Sequence, residues 1–69
     1  MVYKLDVRGL SCPEPVINTK RALAEHDGTV VVVADSFVAA ENIRRLVSSL
    51  AYQITTEEEH GEFTITITK

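Results

Sequence analysis

The sequence predicts a two-layer α/β (α+β) sandwich of order β-α-β-α-β-β, with a mixed four-stranded sheet and two helices on one face. Three observations carry this. Thr29 to Ala34 (TVVVVA) is an unbroken, mostly β-branched run lying between two stretches of helical periodicity. The last part of the chain alternates apolar and polar residues in two segments flanking His60-Gly61, the pattern of a hairpin. Two β-α-β crossovers need parallel neighbours or near-neighbours, and their right-handedness puts both helices on the same face.

The elements follow in chain order. Val2, Leu5 and Val7 among polar residues predict a short first strand that ends at Arg8-Gly9. After the loop RGLSC, the segment PEPVINTKRALAEH reads as a helix. Pro13 suits its first position, where the N–H has no intrahelical partner in any case, and Pro15 is tolerated within the first turn. Val16 and Leu23 share a face that Ile17 and Ala24 are expected to widen. His26-Asp27-Gly28 stops the helix, with Gly28 as a left-handed cap and His26 at the helix C-terminus. Beyond the second strand, Asp35 or Ser36 is suited to cap the next helix. There Ala39, Ile43, Leu46, Val47 and Leu50 form one expected buried stripe. Tyr52, Ile54 and Thr56, then Phe63, Ile65 and Ile67, alternate with polar residues and mark the last two strands.

Residues 1–69 read as a single domain, since 69 residues are too few for two. A hydrophobic content of 45% with 25% charged residues is that of a folded protein. The net charge of −3 argues against nucleic acid as a direct partner, because phosphate binding relies on a basic surface. No apolar run approaches the ~20 residues of a membrane span, and the N-terminus does not read as a signal peptide. The expected setting is the reducing cytoplasm, where a single thiol stays available for chemistry.

That thiol is Cys12, in Arg8-Gly9-Leu10-Ser11-Cys12-Pro13-Glu14-Pro15-Val16. It falls at or next to the N-cap of the first helix, where the positive end of the helix dipole favours a thiolate. Pro13 and Pro15 remove two first-turn donors, leaving the N–H of Glu14 as the main one nearby. The Glu14 carboxylate would work against a thiolate and the Arg8 guanidinium for it. An exposed, rigidly presented thiol is therefore better supported than a strongly acidified one.

The residues Leu5-Asp6-x-Arg8-Gly9-Leu10-x-Cys12-Pro13-x-Pro15-Val16, followed by Thr19-Lys20 and Ala22-Leu23, resemble the signature of the TusA/SirA-like family, most specifically in Cys-Pro-x-Pro. The resemblance spans the chain in length and element order and implies the same β-α-β-α-β-β sandwich. It also implies a sulfur carrier, a sulfurtransferase in the relay sense that does not turn over alone. Cys12 would accept a sulfane sulfur as a persulfide and pass it to a partner protein. No cofactor is implied beyond that transient persulfide. The implied partners are a cysteine desulfurase or other sulfur donor and a downstream acceptor protein, with a DsrE-like protein as one candidate. Around Cys12, the residues Arg8, Gly9, Pro13, Glu14, Pro15 and Lys20 are expected to support the motif, the charged ones by shaping docking or the electrostatics of the sulfur.

Ala40-Glu41-Asn42-Ile43 and the ending Gly61-Glu62-Phe63-Thr64-Ile65-Thr66-Ile67 are similar to the N-terminal domain of YedF-like selenium-metabolism proteins, which a DsrE-like domain usually follows. Where TusA commonly carries an Asp-Pro pair, this chain has Asp35-Ser36-Phe37, which weakens any transfer of TusA's own partners and its tRNA role. A selenium-handling domain therefore stands as an alternative, as does a regulatory or interaction module with a redox-sensitive Cys12. His26, His60 and Cys12 match no common zinc spacing, so no metal is expected. Glu57-Glu58-Glu59 reads as a solvated strand end that discourages edge pairing, and Arg44-Arg45 as an exposed helix face.

Overall fold

The computed structural model describes residues 2–10, 14–26 and 28–68. Its elements follow the predicted order: β1 (Val2–Asp6), α1 (Glu14–Glu25), β2 (Thr29–Ala34), α2 (Phe37–Ser49), β3 (Gln53–Glu59) and β4 (Glu62–Thr68). The sheet runs β1-β2-β4-β3. β1 lies parallel to β2, and β4 is antiparallel to both of its neighbours. The second crossover therefore joins parallel strands with β4 inserted between them.

Burial explains this insertion. Ile65 and Ile67 of β4 are fully buried, as are Val30, Val32 and Ala34 of β2, so these two strands take the centre. Every residue of β3 except Ile54 is exposed, and its Glu57-Glu58-Glu59 end lies at a sheet edge, where charge discourages pairing with another chain. The central strands pack their inward residues against Ala22 and Leu23 of α1 and Ala40, Ile43 and Val47 of α2. Each fully buried Val or Ile side chain contributes about 1.5–3 kcal/mol by leaving water.

α1 turns a different face inward from the one expected. Its buried residues are Pro15, Thr19, Ala22 and Leu23, with Val16 at the margin, whereas Ile17 and Ala24 are exposed. At about 100° per residue, Ile17 and Ala24 lie roughly opposite that stripe. Thr19 can enter the core because its hydroxyl donates to the Pro15 carbonyl at 2.8 Å, leaving no unpaired polar atom. His26 lies at the C-terminus of α1 as expected and makes a further contact there. Its N–H donates to the Ala22 carbonyl at 3.0 Å, while its ring stacks on Tyr3 of β1, with centroids 3.9 Å apart. The end of α1 is thereby tied to the edge strand.

Ser36, rather than Asp35, caps α2, its side-chain oxygen accepting the Ala39 N–H at 3.4 Å. The expected α2 stripe holds at Ile43 and Val47, gains Ala40, and loses Leu50, which is 41% exposed at the C-cap. The helix ends in a Schellman motif. The Ala51 N–H donates to the Ser48 carbonyl at 3.2 Å, and the Tyr52 N–H to the Val47 carbonyl at 3.4 Å. Ala51 occupies the left-handed position, φ 64°, that glycine normally fills. Ala51→Gly is therefore expected to stabilise the fold by about 0.5–1 kcal/mol, net of glycine's greater freedom when unfolded. Thermal unfolding checks this, and a lower midpoint would contradict it. At the hairpin, His60 and Gly61 have φ 53° and 81°, the pair of positive values that a two-residue type I′ turn requires.

Candidate functional site

Because β1 and β2 are parallel, the loops leaving their carboxyl ends lie side by side at one end of the sheet. The β1–α1 loop carries the cysteine motif. Ser11, Cys12 and Pro13 themselves lie outside the described residues, so the site is built from the described residues that flank them in the sequence and from what those residues touch. The β1–β2 ladder continues past β1 through the Val7 N–H, which donates to the Val33 carbonyl at 2.9 Å. The chain then turns, with the Leu10 N–H donating to the Val7 carbonyl at 3.3 Å. Gly9 sits in this turn at φ 81°, where a type II turn needs a positive value. A Cβ there would meet nothing within 4 Å, so glycine serves the backbone conformation rather than a close approach.

Arg8 is engaged by two carboxylates. Its Nε and Nη2 donate to Asp6 at 2.9 and 2.8 Å, and its Nη1 donates to Glu62 of β4 at 3.0 Å. Asp6 also accepts the Arg8 backbone N–H at 3.0 Å. The guanidinium thus reaches from the end of β1, past β2, to β4. The side-chain and backbone hydrogen bonds from Arg8 lower the Asp6 carboxyl from 3.8 to about 2, and the two carboxylates hold the Arg8 guanidinium further up than usual. Arg8, expected to favour a thiolate or to shape docking, is held in this clamp by the two carboxylates.

The clamp should show in the acid limb of stability. A carboxylate held low contributes stability above its unfolded value near 3.8 and loses that contribution as pH falls through about 2. Asp6→Asn should therefore lower the thermal midpoint at neutral pH, with the difference closing between pH 4 and 2. The group is solvent-exposed, so salt should narrow the gap at neutral pH as well. A gap that persisted unchanged at pH 2 would refute the assignment.

From the neighbouring loop, the Asp35 carboxylate accepts the Gly9 N–H at 3.1 Å. Pro15 is buried and, with Leu10, Val16, Val38 and Ala39, lines a cleft of about 60 Å³ whose polar members are Ser36 and Asn42. Around it Val38 (62% exposed), Phe37 (65%) and Leu10 (36%) present apolar surface, with Phe37 set edge-on to Phe63 at 6.1 Å. Glu14 opens α1 and is exposed. Lys20, also exposed, lies about 9 Å further along the helix axis, away from the loop.

Arg8, Gly9 and Pro15 are thus brought together at this end, and Lys20 is set apart from them. Sequence reasoning missed Asp35, Glu62, Leu10, Val38 and Asn42 as members of the site. Adjacent carboxyl ends of parallel strands could have flagged Asp35, but no local signal marks Glu62. Among the described residues no helix is long and apolar enough to cross a membrane.

Comparison with known proteins gives concordant results. The model of the family described as sulfurtransferase TusA matches residues 3–69. A protein of Methanocaldococcus jannaschii, provisionally named a sulfur carrier protein, is 44% identical over 69 residues, covering 96% of this chain and 92% of its own. The crystal structure of a SirA-like protein from Desulfitobacterium hafniense superposes with a TM-score of 0.87 at 33% identity, covering 99% of this chain and 96% of that one. The fold, the Cys-Pro-x-Pro motif at the start of α1 and these matches agree: the chain belongs to the TusA family of sulfur carriers.

Proposed function

We propose that this protein relays sulfur as a persulfide on Cys12. The observation that carries the reading is the chain's single cysteine, within the Cys-Pro-x-Pro motif of a domain that the TusA model matches from residue 3 to residue 69. In the first step the Cys12 thiolate attacks the terminal sulfur of a donor persulfide. A new S–S bond forms at Cys12, the donor S–S bond breaks, and the donor leaves as a thiolate. In the second step an acceptor thiolate attacks the terminal sulfur on Cys12, and Cys12 departs as a thiolate. No electrons are gained or lost overall, so no redox cofactor is needed.

The rest of the site supports presentation rather than turnover. With a single cysteine, the chain has no resolving thiol of its own, so the acceptor thiol belongs to the partner. The apolar rim of Leu10, Phe37 and Val38 offers a surface for partner proteins beside the motif loop. A cysteine desulfurase is the proposed donor and a thiol protein of DsrE type the proposed acceptor, with exposed Glu14 and Lys20 meeting their charges. This chemistry suits a reducing compartment such as the cytoplasm.

The test is intact-protein mass spectrometry after incubation with a cysteine desulfurase and cysteine, and separately with inorganic polysulfide. The expected result is a gain of one sulfur atom that a thiol reductant removes. Failure of both donors to load the protein would overturn the reading.

A further inference from the structure

We propose that Asp35, in the β2–α2 connection, is the positioning residue of the cysteine loop, its carboxylate holding the Gly9 N–H so that the loop is presented for sulfur transfer at Cys12. The proposal rests on the reading of Cys12 as the sulfur-bearing residue.

The β1–α1 loop is held at several points before it reaches the motif. Val7 closes onto β2, Arg8 is gripped by Asp6 and Glu62, and the Leu10 N–H closes a turn onto Val7. The Gly9 N–H takes neither of these backbone arrangements. It donates instead across the gap between loops to Asp35 Oδ2 at 3.1 Å, linking residues 26 apart in sequence.

The clamp on Arg8 is internal to the sheet, since Asp6 and Glu62 both belong to strands. The Asp35 contact is different, because it ties the cysteine loop to the segment that begins α2. Asp35 directly precedes the cap Ser36, which fixes the start of that helix through the Ala39 N–H. Val38 and Ala39, in the first turn of α2, line the cleft together with Leu10 and Pro15 from the cysteine side. This hydrogen bond therefore links the two segments that carry the halves of the apolar rim, and Gly9 stands three residues before Cys12 in the sequence.

Asp35 is not needed to begin α2, because Ser36 fills the cap, nor for the core, because its side chain is exposed. Its carboxylate is directed across to the neighbouring loop. A hydrogen bond from an amide to a charged acceptor contributes about 1 kcal/mol at a solvated position, which corresponds to roughly a fivefold change in the equilibrium constant between the held and the released loop.

The experiment compares wild type with Asp35→Ala and Asp35→Asn. Asparagine keeps an oxygen that can accept the Gly9 N–H, whereas alanine has none. Two readouts are taken on folded protein at equal fractions of thermal stability. The first is hydrogen exchange at the Gly9 amide. The second is the rate at which Cys12 reacts with an aromatic disulfide reagent, relative to the same reaction in denaturant. The expected result for Asp35→Ala is about fivefold faster Gly9 exchange and a slower Cys12 reaction, with Asp35→Asn close to wild type in both. Equal or faster Cys12 reaction in Asp35→Ala overturns the proposal. So does an asparagine variant that behaves like alanine, since that would assign the effect to charge rather than to the hydrogen bond. Sulfur loading of the wild type is scored separately. A wild type that reacts with the disulfide reagent but takes up no sulfur removes the carrier reading and leaves the positioning result standing.

Discussion

Cys12→Ser is expected to abolish sulfur loading entirely while leaving the thermal midpoint within a degree or two of wild type. The loss should be complete rather than partial, because a serine hydroxyl stays protonated at neutral pH and is a poor nucleophile toward sulfane sulfur. No second cysteine is available to substitute. The stability readout separates carrier from structural thiol. A cysteine packed in the core would leave a hydroxyl in apolar surroundings on mutation, at a cost of about 1–3 kcal/mol. In a domain of this size that lowers the midpoint by about 4–8 °C per kcal/mol. Retained loading in the serine variant would place the sulfur elsewhere. A large fall in the midpoint would favour the structural role, or a module in which the thiol does not transfer sulfur.

Ile65→Ala should produce the largest stability loss of any single truncation in the sheet. Ile65 lies in the central strand β4, paired with Val32 of β2 on one side and Thr56 of β3 on the other, and is fully buried. Removing three carbons from such a site costs about 2–5 kcal/mol through lost burial and the cavity left behind. A domain of this length has about 3–10 kcal/mol in total. The variant should therefore be partly unfolded at 37 °C, with a urea midpoint well below wild type and an unchanged slope. A loss under about 1 kcal/mol would mean that the helices close over the site more readily than this packing suggests.

The contrast between these variants follows from how the molecule is divided. Stability resides in one layer of aliphatic side chains between sheet and helices. The proposed chemistry resides at the loop end, where backbone hydrogen bonds and exposed charges set geometry but bury little. Substitutions at Asp6, Asp35 or Cys12 should therefore change transfer or pH response more than they change folding, and substitutions at Ile43, Ile65 or Ile67 the reverse.

The sequence by itself determined the element order, the tight turn at His60-Gly61 and the identity of the thiol. Each is a local property. Periodicity, β-branched runs and positive-φ turns are written in neighbouring residues, and a chain with one cysteine leaves no choice of thiol. Tertiary structure alone decided which face of α1 is buried, because the Thr19 hydroxyl can bond the Pro15 carbonyl four residues back in any helix, and only packing against the sheet turned that face inward. It also decided the insertion of β4 between β2 and β3, which depends on competition among strands for the sheet centre. Ala51 carries no glycine signal, and its left-handed conformation is imposed by the two hydrogen bonds of the Schellman turn. The same holds at the loop end. Glu62 shares Arg8 from 54 residues away, and Asp35, one of two residues suited to cap α2, is brought against Gly9 by the parallel pairing of β1 and β2. Partners far apart in sequence leave no local pattern, so the candidate thiol could be named from the chain but the hydrogen bonds that hold the start of its loop could not.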